Sequence, residues 1–244
     1  MSATAYLDRV AGMIDRLRHE HLDRIGEAAQ IVADAVRRDA IVHIFGTGHS
    51  HLLAEEALYR AGGLAPVNAV LDPGLMLREG ALASTRLERV AGYAEIVAGN
   101  YRFEAGDVLI VVSNSGVNAV PVEMAVLGKD AGLTVVAICS LTYAAATEPA
   151  ADVGRRLPDV ADLVLDNLGE PGDAVVELGG GGTRGGPTST VIGAALLNAV
   201  FVEAAAGLVA DGVEPPLYRS ANLPGAPEHN RHLVERYRGR VKHL

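Results

Sequence analysis

Apolar residues recur along this chain with two periods, and the alternation between them predicts its elements. From Thr4 to Arg38 they fall at helical spacing, at Leu7, Val10, Ala11, Ile14 and Leu17 and again at Ile25, Ala28, Ala29, Val32, Ala35 and Val36, with charge on the other faces. Two helices, or one long bent one, are expected there, packed either on their own domain or on a partner subunit. Five continuous apolar runs follow, at Ile41–Phe45, Pro66–Leu71, Asp107–Val112, Leu133–Ser140 and Ala161–Asp166. Helix-like stretches separate or follow them, at Leu52–Arg60, Ala119–Gly132 and Val191–Val209. Strands that are apolar throughout and alternate with helices imply a parallel sheet with helices on both faces. Residues 1–38 therefore read as a helical arm, 39–212 as an α/β domain and 213–244 as a tail that packs on the domain or on a partner.

Some stretches are less regular. Leu75 to Asn100 is rich in helix formers but broken at Gly80 and Gly92, which predicts two short helices with a polar loop between them. Leu141 to Pro158 reads as a loop with one short helix. Glu170 to Pro187 has a strand-like centre and a flexible glycine tract, after which Thr188, Ser189 and Thr190 are placed to cap the next helix. The segment Pro215–Asn230 is irregular and proline-rich, and the following HNRHLVERYRGRV returns to helical spacing.

With 244 residues, 49% of them hydrophobic, the chain can bury a substantial core. A net charge of −9 leaves no basic face, which argues against nucleic acid and anionic membrane as partners. Cys139, the single cysteine, excludes an internal disulfide and a thiolate metal cluster. The amino end lacks the apolar core of a signal peptide, and no uninterrupted apolar run reaches the roughly 18 residues of a membrane span, so a cytoplasmic location is expected.

Two strand ends carry the candidate chemistry. After Phe45 the chain turns through Gly46-Thr47-Gly48, and His49-Ser50-His51 opens a helix. A glycine turn feeding a helix N-terminus suits a phosphate, since the first N–H groups lack partners and the helix dipole is positive there. His51 stands where a dinucleotide fingerprint needs its third glycine, and the lysine of a P-loop is missing. After Val112, the loop Ser113-Asn114-Ser115-Gly116-Val117-Asn118 leads into the next helix. One of these short polar side chains is accounted for as a cap; Ser113, Ser115 and Asn118 together make a neutral phosphate cradle that needs no lysine. If the first and third strands are neighbours, both loops meet at the carboxyl edge of the sheet, where such folds bind ligands.

These residues carry a resemblance. The GTGHS turn and the VVSNSG-V-N loop resemble the phosphosugar-binding loops of the SIS (sugar isomerase) domain family over roughly Ile41 to Val209. The resemblance implies a three-layer α/β/α fold with a five-stranded parallel sheet in the order 2-1-3-4-5, and a homodimer or homotetramer with active sites at subunit interfaces. The family's phosphate-holding serines carry over to Ser50, Ser113 and Ser115, with Asn118 where many members have Ser or Thr. The arm resembles that of phosphoheptose isomerases and N-acetylmuramic acid 6-phosphate etherases. GTGHSH, LREGA, NSGVNAVP, PGDAVVE and ANLPGAPEHN together resemble more closely a bacterial group that includes N-acetylglucosamine-6-phosphate dehydratases. No cofactor and no metal are implied, since His43, His49 and His51 lack ligand spacing.

An aldose 6-phosphate opened to its aldehyde has an acidic C2 proton. A carboxylate can remove it, and the carbanion either returns the proton at C1 or expels the C3 substituent. Glu55 and Glu56 lie near the first loop, about 100° apart around their helix, so only one can face a given ligand. Glu56 is the candidate, with Glu79, which resembles by location the loop carboxylate of the etherases. Gly48, His49, His51, Asn114 and Asn230 are expected near the sugar, with His229 reaching a neighbouring subunit's site as an acid. The expected activity is that of a carbon-oxygen lyase dehydrating N-acetylglucosamine 6-phosphate; a phosphosugar isomerase and a non-catalytic phosphosugar sensor are the alternatives.

Overall fold

The structure, a computed structural model, describes residues 1–179 and 181–244. Gly180, part of the tract expected to be flexible, lies outside the described residues. The arm is two helices, α1 (Ser2–Glu20) and α2 (Leu22–Arg37), broken at His21, whose ψ of 5° leaves the helical range. The domain then runs β1 (Val42–Gly46), α3 (Leu52–Ala57), β2 (Val67–Val70), α4 (Ala81–Leu87), α5 (Tyr93–Ala98), β3 (Val108–Val112), α6 (Ala119–Asp130), β4 (Thr134–Cys139), α7 (Leu141–Ala145), α8 (Leu157–Val160) and β5 (Leu163–Asp166). A short hairpin of β6 (Val176–Glu177) and β7 (Arg184–Gly185) precedes α9 (Ser189–Ala210), and α10 (Ala226–Tyr237) lies in the tail.

All strand pairs of the main sheet are parallel, in the order β2-β1-β3-β4-β5. This is the expected three-layer α/β/α fold. Side chains alternate across the pleat. Val42, Ile44, Ile110 and Ile138 face a core shared with α1, α2, α3 and α9. Phe45, Leu109, Val111 and Ala137 face a second core shared with α5, α6 and α8. Both faces are covered, which explains why these strands read as unbroken apolar runs. Each fully buried Ile or Phe contributes about 1.5–3 kcal/mol relative to exposure.

The arm packs on its own chain through Met13 and Leu17. Tyr6 also donates a hydrogen bond to the Pro187 carbonyl at 2.8 Å. α9 is long and apolar enough to cross a membrane by length and composition, with a mean hydropathy of 1.9 over its most apolar window. Half of that window is buried, and Ile192, Leu196, Leu197, Val200 and Phe201 enter the first core. Asn198 and Glu203 are what interrupt its run in sequence.

Where the expected elements and the structure differ, short pieces are responsible. Two short 3₁₀ turns, Pro73–Leu75 and Leu77–Glu79, precede the two helices expected over Leu75–Asn100. The stretch Leu141–Pro158 contains α7 and the start of α8 rather than one helix. The strand-like centre at Val175–Val176 becomes half of the β6–β7 hairpin. α10 begins at Ala226, inside the segment expected to be irregular, with Pro227 in its first turn where a missing N–H costs nothing.

The tail lies against the amino end of the sheet. Leu217 bridges Leu64, and Tyr218, Tyr237 and Val241 form a small core with Ile41 and Ala65. A buried polar network joins the two. His43 pairs with Asp107 at 3.1 Å through Nε2 and with the Asn68 amide at 3.1 Å through Nδ1. Asp107 also accepts from the Ile41 and Glu104 N–H groups, both at 2.9 Å, and from Arg240 at 2.7 Å. Burial pushes the His43 pKa below its ordinary value, against the pull of Asp107. Burial pushes Asp107 up, but its bonds from His43 and the two backbone N–H groups outweigh that and hold it below the usual range.

Candidate functional site

β1 delivers the first loop and can do so only through glycine. A Cβ at Gly46 would stand 2.6 Å from the Ser50 carbonyl carbon and oxygen, so the turn folds back directly onto that backbone. Gly48 follows with φ at +55°, the left-handed region. Residues Gly48–His51 form a 3₁₀ turn that runs into α3. His51 is buried, its Nδ1 bonded to the Gly48 carbonyl and its Nε2 3.7 Å from Glu55. That imidazole stitches the turn together. His49 is exposed and Ser50 half-buried.

The second loop follows β3. Ser113 is buried, and its Oγ accepts from the Gly116 N–H at 3.3 Å, an arrangement that leaves the hydroxyl proton free to be donated elsewhere. Gly116 has φ at +63°. The Asn114 carboxamide oxygen accepts from Asn167 at 2.9 Å. Asn118 occupies the N-cap of α6 with extended backbone, yet its side chain makes no capping bond. Among the described residues, the side chains of Ser50, Ser115 and Asn118 make no hydrogen bond to protein.

Because β1 and β3 are neighbours, the loops meet. Ser50, Asn114 and Asn167 line one small cavity together with Ser189 and Thr190 from the start of α9. Leu53 and Val112 complete its wall. At about 10 Å³ it holds roughly one water, so a sugar phosphate must lie over its mouth or part the loops.

Three features of this region were not singled out in the sequence. Asp173 takes the capping role expected of Thr188 and Ser189: its carboxylate accepts from both their backbone N–H groups at 3.0 Å and from the Ser189 hydroxyl at 2.5 Å. Glu88 joins the two loops, accepting from the Thr47 hydroxyl at 2.7 Å while its carbonyl accepts from the Val120 N–H at 3.0 Å. Asn167 braces Asn114. All three partners lie far off in sequence, and only a carboxylate followed by a distant Thr-Ser pair hinted at the first.

The expected acid-base residues are not in this cavity. Glu56 on α3 pairs with Arg60 at 2.5 Å and accepts from Asn198 of α9 at 3.4 Å. Glu79 is exposed beside Arg78. His229 and Asn230 lie on α10, on the amino side of the sheet. There His229 bonds the Leu217 carbonyl at 2.9 Å, and both ends of the Asn230 amide are spent on the Arg219 backbone, at 2.9 and 2.8 Å. Within one chain neither reaches the loops. Among the described residues no group of three His, Cys, Asp or Glu is arranged to hold a metal ion.

Known proteins with the same pattern clarify the family. The family model described as the SIS domain matches residues 5–140. A UPF0309 protein of Brucella canis is 45% identical over 236 residues, covering 97% of this chain and 94% of its own. One from Brucella anthropi is 45% identical over 240 residues, covering 98% and 97%. Among solved structures, a phosphoheptose isomerase from Neisseria gonorrhoeae superposes with a TM-score of 0.54 at 15% identity, over 84% of this chain and 95% of that one. At that identity the likeness speaks for the fold. The GTGHS turn, the SNSG loop and the 2-1-3-4-5 sheet thus belong together, and the chain is a member of the SIS domain family, alongside the UPF0309 proteins.

Proposed function

We propose that this protein binds a hexose 6-phosphate through the two loops and, as an enzyme, dehydrates N-acetylglucosamine 6-phosphate. The observation that carries the binding reading is the set of unspent donors, Ser50, Ser115 and Asn118 with the Ser113 hydroxyl proton, gathered at the carboxyl ends of adjacent strands. Several short donors left free of protein partners beside helix N-termini suit an oxyanion.

In the proposed reaction the open-chain aldehyde loses its C2 proton to a carboxylate, the C2–H electrons form the C2–C3 double bond, and the C3–O bond breaks as a general acid protonates the departing hydroxyl to water. Glu56 and Glu79 are the carboxylates assigned to this exchange, with His229 supplied by a second subunit; His49 and His51 flank the sugar side of Ser50. An interfacial site in a homodimer or homotetramer accounts for acid-base groups lying outside the one-chain cavity. A second reading, a phosphosugar sensor, is favoured by that same separation, since a sensor needs no carboxylate beside the sugar.

Incubation with N-acetylglucosamine 6-phosphate in deuterated water, followed by NMR and mass spectrometry, separates these. Loss of water with a new C2–C3 olefinic signal is the expected result. Deuterium at C2 of recovered substrate, or a ketose, would replace the lyase with an isomerase, and binding without exchange would leave the sensor. In the lyase, Glu56→Gln and Glu79→Gln each reduce turnover to background while binding persists.

A further inference from the structure

Gly46, paired with Val112, is the last residue of β1 in register with β3, so from Thr47 onward the sheet no longer sets the spacing of the two loops. Thr47 itself takes over. It is buried, and its hydroxyl donates to the Glu88 carboxylate at 2.7 Å. Among the described residues this is the one side-chain hydrogen bond that ties the Gly46–His51 turn to anything beyond the helix it opens, since the His51 imidazole bonds back to the Gly48 carbonyl.

Glu88 reaches both sides. It directly follows α4, and its carbonyl accepts from the Val120 N–H at 3.0 Å, in the first turn of α6, where backbone donors have no partner within the helix. One residue thus holds the first loop by its side chain and the helix behind the second loop by its backbone. The other carboxylate oxygen accepts from Arg89 at 2.7 Å, and the side chain is only 16% exposed. With both oxygens engaged, Glu88 is built as a fixed acceptor rather than as a free base. A hydrogen bond to an ionised acceptor is roughly twice as strong as one between neutral groups, which suits a contact that must hold a loop in place.

We infer that Glu88 is a positioning residue of the phosphate site: through Thr47 it sets the distance between the two loops, and with it how Ser50 stands relative to Ser113, Ser115 and Asn118. The inference rests on the phosphosugar reading given above. The phosphate is a handle held alike before and during reaction, so loosening its cradle raises KM and leaves kcat nearly unchanged. Glu88 acts by accepting a hydrogen bond, a task that the amide oxygen of a glutamine can perform and that proton transfer cannot survive.

Two measurements on the full-length protein test this. Without ligand, amide hydrogen exchange is followed at Ser50, whose N–H bonds the Thr47 carbonyl at 3.0 Å. Thr47→Val and Glu88→Ala speed it at least fivefold, while Thr47→Ser and Glu88→Gln keep it within twofold. With N-acetylglucosamine 6-phosphate, Thr47→Val and Glu88→Ala weaken binding by calorimetry at least tenfold and raise KM with kcat within threefold. Glu88→Gln keeps all three constants within threefold, a rescue that a base would not show. Should Glu88→Ala fold poorly, the near-isosteric Thr47→Val decides alone. Unchanged Ser50 exchange in Thr47→Val, unchanged phosphosugar affinity in that variant, or a Glu88→Gln as damaged as Glu88→Ala would overturn the inference. A wild-type protein that binds no phosphosugar, while Ser50 exchange responds as expected, would instead remove the phosphosugar reading and leave Glu88 as the residue that spaces the loops.

Discussion

At the amino end of the sheet His43, Asn68, Asp107 and Arg240 are bonded to one another and to backbone, whereas at the carboxyl end the side chains of Ser50, Ser115 and Asn118 stand beside helix starts with no partner among the described residues. Among the described residues at the amino end, the Arg240 Nε and the buried hydroxyls of Tyr218 and Tyr237 lack a protein partner. Both ends hold polar side chains at or beside the ends of β1 and β3. The difference lies in what the hydrogen bonds are for. Bonds closed within the protein fix the tail to the strands; donors left half-exposed at the other end cost folding little and stay free for a ligand.

The contrast can be broken most forcefully at Asp107. Asp107→Ala leaves His43, Arg240 and the Ile41 and Glu104 N–H groups without their acceptor in a dry site, and about 3–5 kcal/mol of stability should go, read as a shift in the urea midpoint. Gly46→Ala comes next. Its Cβ must displace the Ser50 backbone, costing about 1–3 kcal/mol and weakening phosphosugar binding with it, by calorimetry. Ser115→Ala and Asn118→Ala should do the opposite of Asp107→Ala. Each removes an open donor, so stability stays within about 0.5 kcal/mol. Phosphosugar affinity drops by roughly tenfold, the worth of one hydrogen bond to a charged group.

The smallest effect is in pH. His43 resists protonation in the folded state, so its contribution is fully present above the ordinary 6.5 and is lost as the pH falls below it, when the unfolded chain takes up a proton that the native one refuses. Asp107, held below its ordinary 3.8, adds a further loss only as the pH falls through that range. The urea midpoint should therefore decline from pH 7.5 to 5, and the decline should be shallower in His43→Gln.

Much of the carboxyl end was legible in the sequence because its signals are local. A strand stop, Gly46 and Ser50 lie within ten residues of one another, as do the end of β3 and the Ser113–Asn118 loop, and the loops converge as soon as β1 and β3 are neighbours. The amino-end network was not legible. His43 sits inside an apolar run, its partners Asn68 and Asp107 are 25 and 64 positions away, and Arg240 lies 133 positions beyond Asp107. The same distance hid Asp173 at the start of α9 and Glu88 between the loops. β6 was legible only as a strand-like centre and β7 not at all, for another reason: strands of two residues carry no period. Glu56 and Glu79 illustrate a third limit, for sequence can offer a carboxylate near a loop but cannot say which way it points.

The central claim, that the open donors at the carboxyl end hold a sugar phosphate, is tested most directly by an amide NMR titration with N-acetylglucosamine 6-phosphate set against N-acetylglucosamine. Saturable shifts at Gly48, Ser50, Ser115 and Gly116 with the phosphorylated sugar alone are predicted. Equal shifts with both sugars, or no saturable shift at those four amides, would contradict it.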